Sequence, residues 1–197
     1  MSKLNIIAAV CENMGIGVNG TIPWRLKGDM QHFARMTTRT IDPKKTNAVI
    51  MGRKTWESIP EKCKPLKGRI NIILTRDNII KIQTIVKLQK AETLTTLVVA
   101  TGFDEALDQI KHRRDVENVW VIGGSSVYKT AMNHPNCSAI YLTEISKTFD
   151  CDTFFPDIDT GKFKIVQNDD IEYFARSSSV RVVFMIMYGF IHSITCF

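Results

Sequence analysis

The chain has 197 residues and lacks several features that mark whole classes of protein. Its five cysteines contain no C-x-x-C pair and are odd in number, which argues against a disulfide framework and a structural zinc site. The four histidines lack the spacing of metal ligands, and no Ser-His-Asp or Cys-His constellation is legible. The N-terminus has no charged stretch followed by a long apolar one, so no secretory signal is expected. We therefore expect a cytoplasmic protein without a bound metal.

What the chain does contain is the composition of an ordinary globular protein. Hydrophobic residues make up 44% of it, and its length suffices to bury one core, so we predict a single domain over residues 1–197. The net charge of +6 favours acidic partners, such as nucleic acid, an anionic membrane or a phosphorylated small molecule. Lysine and arginine are scattered without interleaved aromatic residues, so we expect neither nucleic acid nor a membrane as a partner. A monomer is expected as well.

Short β-branched runs alternate with helix-like segments, which is typical of an α/β fold. The run Leu4-Asn-Ile-Ile-Ala-Ala-Val10 is nearly all apolar and predicts a central strand covered on both faces. Further strands are predicted at 47–51, 69–75, 97–100, 118–122, 139–145, 163–166 and 182–187, and helices at 27–37, 54–59, 103–111 and 125–133. Residues 77–95 are interpreted as variable surface structure. The segment 181–197 is more apolar than the final strand of such a fold requires.

The stretch Gly15-Ile-Gly-Val-Asn-Gly20 formally matches the glycine fingerprint of dinucleotide-binding folds. That fingerprint opens a helix, whereas here Thr21-Ile-Pro-Trp24 follows, and no acidic residue ends a second strand at the expected distance. The glycines instead indicate a mobile loop over a site, and a merely structural turn is the alternative.

Two later loops have the arrangement that binds phosphate. Gly123-Gly-Ser-Ser126 lies between a predicted strand and a predicted helix, so its N–H groups and hydroxyls would face an anion; an ordinary helix cap at either serine is the alternative. Gly52-Arg-Lys-Thr55 repeats the order of strand, glycine, cations, hydroxyl and helix. Together with Thr75 and Arg76 at the next strand end, these loops favour a ligand with a pyrophosphate and a further phosphate, such as NADPH.

Two charged residues have both a structural and a functional interpretation. Asp29 lies on the helical face of Met30 and Phe33, and it is either a helix cap after Gly28 or a carboxylate in an apolar pocket that orients a polar heterocycle. Arg69 is either a surface residue or a bidentate clamp for a substrate carboxylate.

Several motifs are long and specific. They are Asn13-Met-Gly-Ile-Gly17, Asn19-Gly20, Pro23-Trp24, Val49-Ile-Met-Gly-Arg-Lys-Thr-Trp56, Ser58-Ile-Pro60, Pro65-Leu-Lys-Gly-Arg-Ile70, Ile122-Gly-Gly-Ser-Ser-Val-Tyr128 and Asp152-Thr-Phe-Phe-Pro156. With them the chain resembles dihydrofolate reductase, in particular the monofunctional animal-type enzymes. The resemblance implies a mixed, mostly parallel sheet of about eight strands flanked by helices, with the C-terminal strand antiparallel. It also implies NADPH-dependent reduction of dihydrofolate to tetrahydrofolate in one-carbon metabolism, and antifolates as ligands.

The resemblance implies a role for each matching residue. Asp29 would promote protonation of N5 of the pterin, Thr143 would support it from behind, and Trp24, at the end of the loop that closes over nicotinamide, is grouped with them as catalytic. The substrate would contact Ile7, Met30, Phe33, Ser58, Ile59, Leu66, Arg69, Ile122 and Tyr128. The cofactor would contact Ala9, Ile16, Gly20, Gly52, Arg53, Lys54, Thr55, Thr75, Arg76, Gly123, Gly124, Ser125, Ser126 and Val127. In this family Gly123 and Gly124 are joined by a cis peptide.

The chain also departs from the family pattern. Asp29 stands where animal enzymes usually have glutamate, and its shorter side chain mainly shifts the geometry of the pocket. Met30 stands where an aromatic residue is common and Cys63 where asparagine is common, and because both alter the rim around the benzoyl group, we expect an inhibitor profile unlike that of vertebrate enzymes. Thr101-Gly102 replaces a more basic pair near the adenine. Two alternative functions remain at this point: an NADPH reductase of a pyrimidine or flavin precursor, and a basic nucleic-acid-binding module that retains the fold.

Overall fold

A computed structural model describes residues 2–77, 96–166 and 182–189. The strands are β1 (Lys3–Cys11), β2 (Gly15–Gly17), β3 (Thr46–Gly52), β4 (Arg69–Leu74), β5 (Leu97–Ala100), β6 (Val116–Val121), β7 (Cys137–Ile145), β8 (Thr153–Phe154), β9 (Phe163–Val166) and β10 (Val182–Gly189). The helices are α1 (Lys27–Thr38), α2 (Arg53–Ser58), α3 (Phe103–Lys111) and α4 (Ser125–Asn133), with a 3-10 turn at Glu61–Cys63. The interpretation of residues 77–95 lies outside the described residues except at Asp77, and so does that of the tail beyond residue 189.

Eight of the strands form one mixed sheet in the order β5-β4-β3-β6-β1-β7-β10-β9. All neighbouring pairs are parallel except those of β10, which runs antiparallel to β7 and to β9. The predicted α/β class, the mostly parallel sheet of about eight strands and the antiparallel C-terminal strand are therefore confirmed. A small second sheet pairs β2 with β8.

The apolar run of β1 is buried on both faces of the sheet, as its composition predicts. Successive strand side chains point to opposite faces, so Ile6 joins the core under α3 and α4, and Ile7 joins the core under α1 and α2. Both side chains are almost fully buried. The strand therefore lies at the centre of three layers, with helices above and below the sheet.

A crevice opens at the carboxyl ends of β1 and β6 because the chain leaves these two neighbours in opposite directions. From β1 it passes through α1 to β3, and from β6 it passes through α4 to β7. The two helices consequently cover opposite faces of the sheet. Open α/β sheets bind ligands at such a switch point. None of the helices within the described ranges has the length and apolarity that a membrane crossing requires.

Candidate active site

One cleft of about 1950 Å³ lies at the carboxyl ends of the parallel strands. Every catalytic, substrate and cofactor candidate predicted from the sequence lines it, including residues far apart in the chain such as Ala9, Thr75 and Thr143. A pocket for one drug-sized ligand typically measures about 300–1,000 Å³. The cleft therefore has room for two ligands side by side.

Asp29 projects into this cleft from the first turn of α1. The helix is capped by Leu26, which makes Asp29 its third residue, so the interpretation of Asp29 as the cap is wrong. The carboxyl is half-buried, and burial raises its pKa, while a side-chain hydrogen bond with Thr143 lowers the pKa. Thr143 reaches it from β7, the strand beside β1. A carboxyl with a raised pKa retains its proton closer to neutral pH, as a proton donor requires.

Tyr128 forms part of the wall behind Asp29. Its hydroxyl donates a hydrogen bond to the carbonyl oxygen of Ile7 at 3.0 Å, so this donor is used inside the protein. Burial raises the pKa of Tyr128, and the nearby charge of Asp29 raises it further. The ring packs on Phe155 with centroids 4.9 Å apart. The contribution of Tyr128 to the cleft is therefore a rigid surface that holds β1 in place.

Arg69 is buried, at 7% exposure, so its interpretation as a surface arginine is wrong. Its Nη1 donates to the hydroxyl of Thr37 at 2.8 Å, and its Nε donates to the carbonyl oxygen of Lys67 at 3.0 Å. The guanidinium also lies 5.8 Å from the centroid of the Phe33 ring. Burial lowers the pKa of Arg69, yet a guanidinium stays charged in proteins. Within the described ranges these bonds use two of its five donors, and the others remain for a ligand carboxylate.

Thr37 is the residue of this group that the sequence analysis missed. It is fully buried, and its hydroxyl donates to the carbonyl oxygen of Phe33 at 2.7 Å while accepting the bond from Arg69. The sequence signal that could have identified Thr37 was its position one helical turn after Phe33, on the apolar face of α1. A pattern within one helix cannot show, however, that an arginine of β4 meets it.

Residues 15–24, here called the glycine loop, begin as β2 and form a tight hairpin at their tip. Val18 and Thr21 exchange backbone hydrogen bonds of 2.9 Å, and Asn19 and Gly20 between them have φ of 49° and 71°. These are the left-handed angles that an Asn-Gly hairpin turn requires. The N–H of Asn19 donates to Asp152 Oδ2 at 2.7 Å, an anchor that the sequence analysis also missed. The tip is thus a defined turn. Gly20 in the turn and Ile16 in β2 line the cleft.

The floor of the cleft at the ends of β3 and β6 is built from close backbone contacts. Gly52 donates to the carbonyl oxygen of Gly123 at 2.8 Å, and the Gly123–Gly124 peptide is cis, as the resemblance implies. Gly123 has φ of 131°, and a Cβ there would lie 3.1 Å from the Thr55 hydroxyl oxygen. The cap of α4 is Gly124, so the two serines are the first residues of the helix and their interpretation as caps is wrong. The arrangement forms a cradle for an anion at the positive end of α4.

The cations beside this floor differ in their surroundings. Arg53 donates to both oxygens of Glu57, at 2.8 and 3.0 Å, which offsets part of its charge. Lys54 and Arg76 are exposed at the cleft edge. Thr101, which with Gly102 replaces the more basic pair near the adenine, donates its N–H to Glu105 Oε2 at 2.7 Å. That edge therefore has an acidic neighbour in place of the more basic pair expected from the family.

A doubly wound sheet with an anion cradle at its carboxyl edge and a protonatable carboxyl beside it is the design of a nucleotide-dependent reductase. Comparison with known proteins narrows this class. The family model described as dihydrofolate reductase matches residues 3–187. This chain belongs to the dihydrofolate reductase family.

Individual relatives agree with the family match over most of their length. Dihydrofolate reductase of Heliothis virescens is 53% identical over 169 residues, which cover 86% of this chain and 87% of the relative. That of Sus scrofa is 46% identical over 167 residues, covering 83% and 84%. Among solved structures, dihydrofolate reductase of Schistosoma mansoni superimposes with a TM-score of 0.75 at 35% identity, covering 95% of this chain and 98% of the other. The family is thus supported by sequence and by fold.

Proposed function

We propose that this chain catalyses NADPH-dependent reduction of 7,8-dihydrofolate to 5,6,7,8-tetrahydrofolate, and so maintains the carriers of one-carbon metabolism for thymidylate and purine synthesis. The observation that carries this function is a half-buried carboxyl, Asp29, in the same cleft as the anion cradle at Gly123 and Gly124. The family membership of the chain agrees with it. NADPH, when bound, supplies the hydride.

The cofactor fits the floor and edge of the cleft. The pyrophosphate would lie in the cradle of Gly123 and Gly124, where a Cβ would occupy the space near Thr55. The exposed ammonium of Lys54 and guanidinium of Arg76 would hold the 2′-phosphate side. The paired Arg53 contributes less there, because Glu57 already offsets its charge. The remaining cofactor candidates, with Ala9, Ile16 and Gly20 at the nicotinamide end, line the same part of the cleft.

The chemistry at the substrate falls to Asp29. Its carboxyl would bind the exocyclic amine and a ring nitrogen of the pterin, and would supply the proton of N5 through water. Burial favours the protonated carboxyl, and the Thr143 hydroxyl orients it. Trp24 closes the glycine loop against Phe149, with ring centroids 5.4 Å apart, and would exclude bulk water from this end.

The glutamate end of the substrate would be held by Arg69. A buried guanidinium attracts a carboxylate strongly because water screens the pair little. A pyrimidine or flavin precursor carries no glutamate α-carboxylate, so a buried Arg69 in the cleft favours a folate over the alternative reductase. We further propose that the enzyme acts as a monomer in the cytoplasm and that nucleic acid is not among its partners.

The test is the fall of NADPH absorbance in the near ultraviolet on addition of dihydrofolate, in the wild type and in an Asp29→Asn variant. Asparagine keeps the size of the side chain but cannot donate a proton from a carboxyl, so the rate at neutral pH should fall by about 10²–10⁴-fold. Thr38→Val is the matched control, because Thr38 lies on α1 outside the cleft and bonds only within the helix. An unchanged rate in the Asp29→Asn protein would remove Asp29 from the mechanism.

A further inference from the structure

Two thiols meet at the base of the glycine loop. Cys11 is the last residue of β1, and Cys151 lies two residues before β8, yet their Sγ atoms are 3.9 Å apart. Neither is in a disulfide. They line no part of the cleft, and the proposed reaction uses neither of them.

The surroundings of the pair position both sulfurs. Cys11 is buried, and its thiol donates to Oδ1 of Asn13 at 2.8 Å. Cys151 is half-buried and faces Cys11 from the segment that carries the loop anchor Asp152. A disulfide has an S–S bond of about 2.05 Å, so the sulfurs must approach by about 2 Å, a distance within the reach of side-chain rotation.

Gly15 packs directly against both sulfurs. A Cβ on it would lie 2.5 Å from Cys151 Sγ and 2.9 Å from Cys11 Sγ, closer than any side chain tolerates. Its backbone is not in the left-handed region, so space alone requires glycine at this position. A displacement of either sulfur would therefore shift Gly15, the first residue of the glycine loop.

We propose that Cys11 and Cys151 are a redox-sensitive pair whose oxidation by a peroxide to a disulfide clamps the base of the glycine loop and slows turnover. The effect on turnover rests on the function proposed above, whereas formation of the disulfide does not. The bond would tie the end of β1 to the segment before β8.

The oxidation balances with hydrogen peroxide as the oxidant. The thiolate of Cys151, the more exposed of the two, attacks one peroxide oxygen; the O–O bond breaks, and a sulfenic acid and water are formed. The sulfur of Cys11 then attacks the Cys151 sulfur, the S–O bond breaks, and hydroxide leaves as water with the proton of Cys11. Two thiols and one peroxide thus give one disulfide and two waters. Burial raises the pKa of the Cys151 thiol, which makes the first step slow.

The disulfide would form beside backbone hydrogen bonds that already join the glycine loop and the preceding Met14 to the segment after Cys151. The N–H of Asp152 donates to the carbonyl oxygen of Gly17 at 3.1 Å, and that of Phe155 donates to the carbonyl oxygen of Met14 at 2.8 Å. A loop that opens for cofactor exchange must loosen these bonds. A covalent bond beside them opposes that movement, so we expect a lower kcat.

The experiment compares reduced full-length protein with protein treated with hydrogen peroxide at mildly alkaline pH. We expect the intact mass to fall by two hydrogens, a cross-linked peptide to join Cys11 to Cys151, and kcat to fall several-fold. Dithiothreitol should restore the mass and kcat and remove the cross-link. Cys11→Ser and Cys151→Ser should each abolish the cross-link and the reversible loss of rate. The control is Cys137→Ala, which removes a buried thiol at the start of β7 and should retain the cross-link and the reversible loss of rate.

Three results would overturn the proposal. The first is oxidation confined to other thiols, such as the exposed Cys63, with no cross-linked peptide in wild-type protein that is demonstrably folded. The second is a cross-link that leaves kcat unchanged, and the third is a reversible loss of rate that persists in Cys151→Ser. Peptide mapping needs no turnover, so failure of the thiol pair is distinguishable from failure of the proposed reductase function.

Discussion

At the scale of single residues, buried hydroxyls hold two ionisable groups of the cleft, Asp29 and Arg69. Thr143 bonds to Asp29, and Thr37 bonds to Arg69, and both threonines are almost fully buried. A buried hydroxyl holds a charged group in one orientation, and its loss leaves a donor or acceptor without a partner. The two threonines are therefore expected to affect substrate binding and catalysis through the groups that they hold.

Replacing Thr37 by valine tests this dependence for Arg69. The variant keeps the shape of the side chain but leaves Nη1 of Arg69 without its 2.8 Å partner, which costs about 1–3 kcal/mol of stability. We expect the KM for dihydrofolate to rise about tenfold while the KM for NADPH stays unchanged, since only the glutamate end is affected. Thr38→Val is the control, and a Thr37→Ser variant should restore the KM. An equal rise of both KM values would contradict a positioning role.

The raised pKa of Asp29 predicts how the stability of the protein depends on pH. The unfolded chain ionises this carboxyl at its ordinary pKa, and the folded chain only at higher pH. The group therefore costs no stability below its ordinary pKa, and stability falls as pH rises from there through the folded pKa. Urea unfolding should show Asp29→Asn more stable than wild type at neutral pH and equal to it in acid. A variant less stable than wild type at neutral pH would contradict the burial of the charge.

At the scale of elements, the glycine loop combines a hairpin turn at its tip with a side-chain anchor, the carboxylate of Asp152. The Asn-Gly turn holds the hairpin, and the carboxylate of Asp152 accepts from the N–H of Asn19 and from the hydroxyl of Thr153. The Asn19 N–H is the main cause of the lowered pKa of Asp152. The anchor is therefore charged at neutral pH and is lost only as pH falls through this lowered pKa.

An Asp152→Ala variant removes the anchor without disturbing the packing of the hydrophobic core, because the Asp152 side chain is exposed. We expect the glycine loop to spend less time in contact with β8, so that the KM for NADPH rises a few-fold. The overall free energy of unfolding should change by less than about 1 kcal/mol. Steady-state kinetics and hydrogen exchange at residues 15–20 measure this. Asp150→Ala, two residues earlier and also exposed, is the matched control. Unchanged exchange in the Asp152→Ala protein would exclude the anchor.

At the scale of the whole molecule, ligand binding and stability are coupled, because the cleft draws its lining from elements throughout the sheet. Its lining includes residues on or directly after β1, β3, β4, β5, β6 and β7, and residues of α1, α2, α3 and α4. A ligand in the cleft binds only the folded chain and stabilises it by RT ln(1 + [L]/Kd). The thermal midpoint therefore reports cofactor preference without any turnover.

We expect NADPH at about 100 times its Kd to stabilise the protein by about 2.7 kcal/mol and to raise the melting temperature accordingly. NADH at the same concentration should stabilise it less, because the exposed cations Lys54 and Arg76 would face no 2′-phosphate. Arg76→Ala should narrow the difference between the two cofactors, and Lys44→Ala, whose side chain does not line the cleft, should leave it unchanged. Equal stabilisation of wild type by both cofactors would contradict the assigned phosphate site.

Predictions were confirmed where they needed only the pattern of one local stretch of sequence or the resemblance to the family. The strand at β1, the helices over 103–111 and 125–133 and the cis peptide at Gly123–Gly124 all follow from local pattern or resemblance and are present. The cap interpretations of Asp29 and of the serines of α4 were wrong, because each helix begins at a neighbouring residue. Capping preferences differ by only about 1 kcal/mol, which leaves helix boundaries open by a residue or two.

The sequence by itself determined the α/β class, the approximate positions of the eight strands of the main sheet and of the four helices, and the family, because hydrophobic periodicity and motifs are properties of neighbouring residues. Only the tertiary structure decided that Arg69 is buried against Thr37, that Asp152 holds the tip of the glycine loop, and that Cys11 lies beside Cys151. Each of these pairs is separated by 32 to 140 positions in the chain. Contacts at such separations depend on which strands the fold places side by side, and a reading of local pattern carries no information about them.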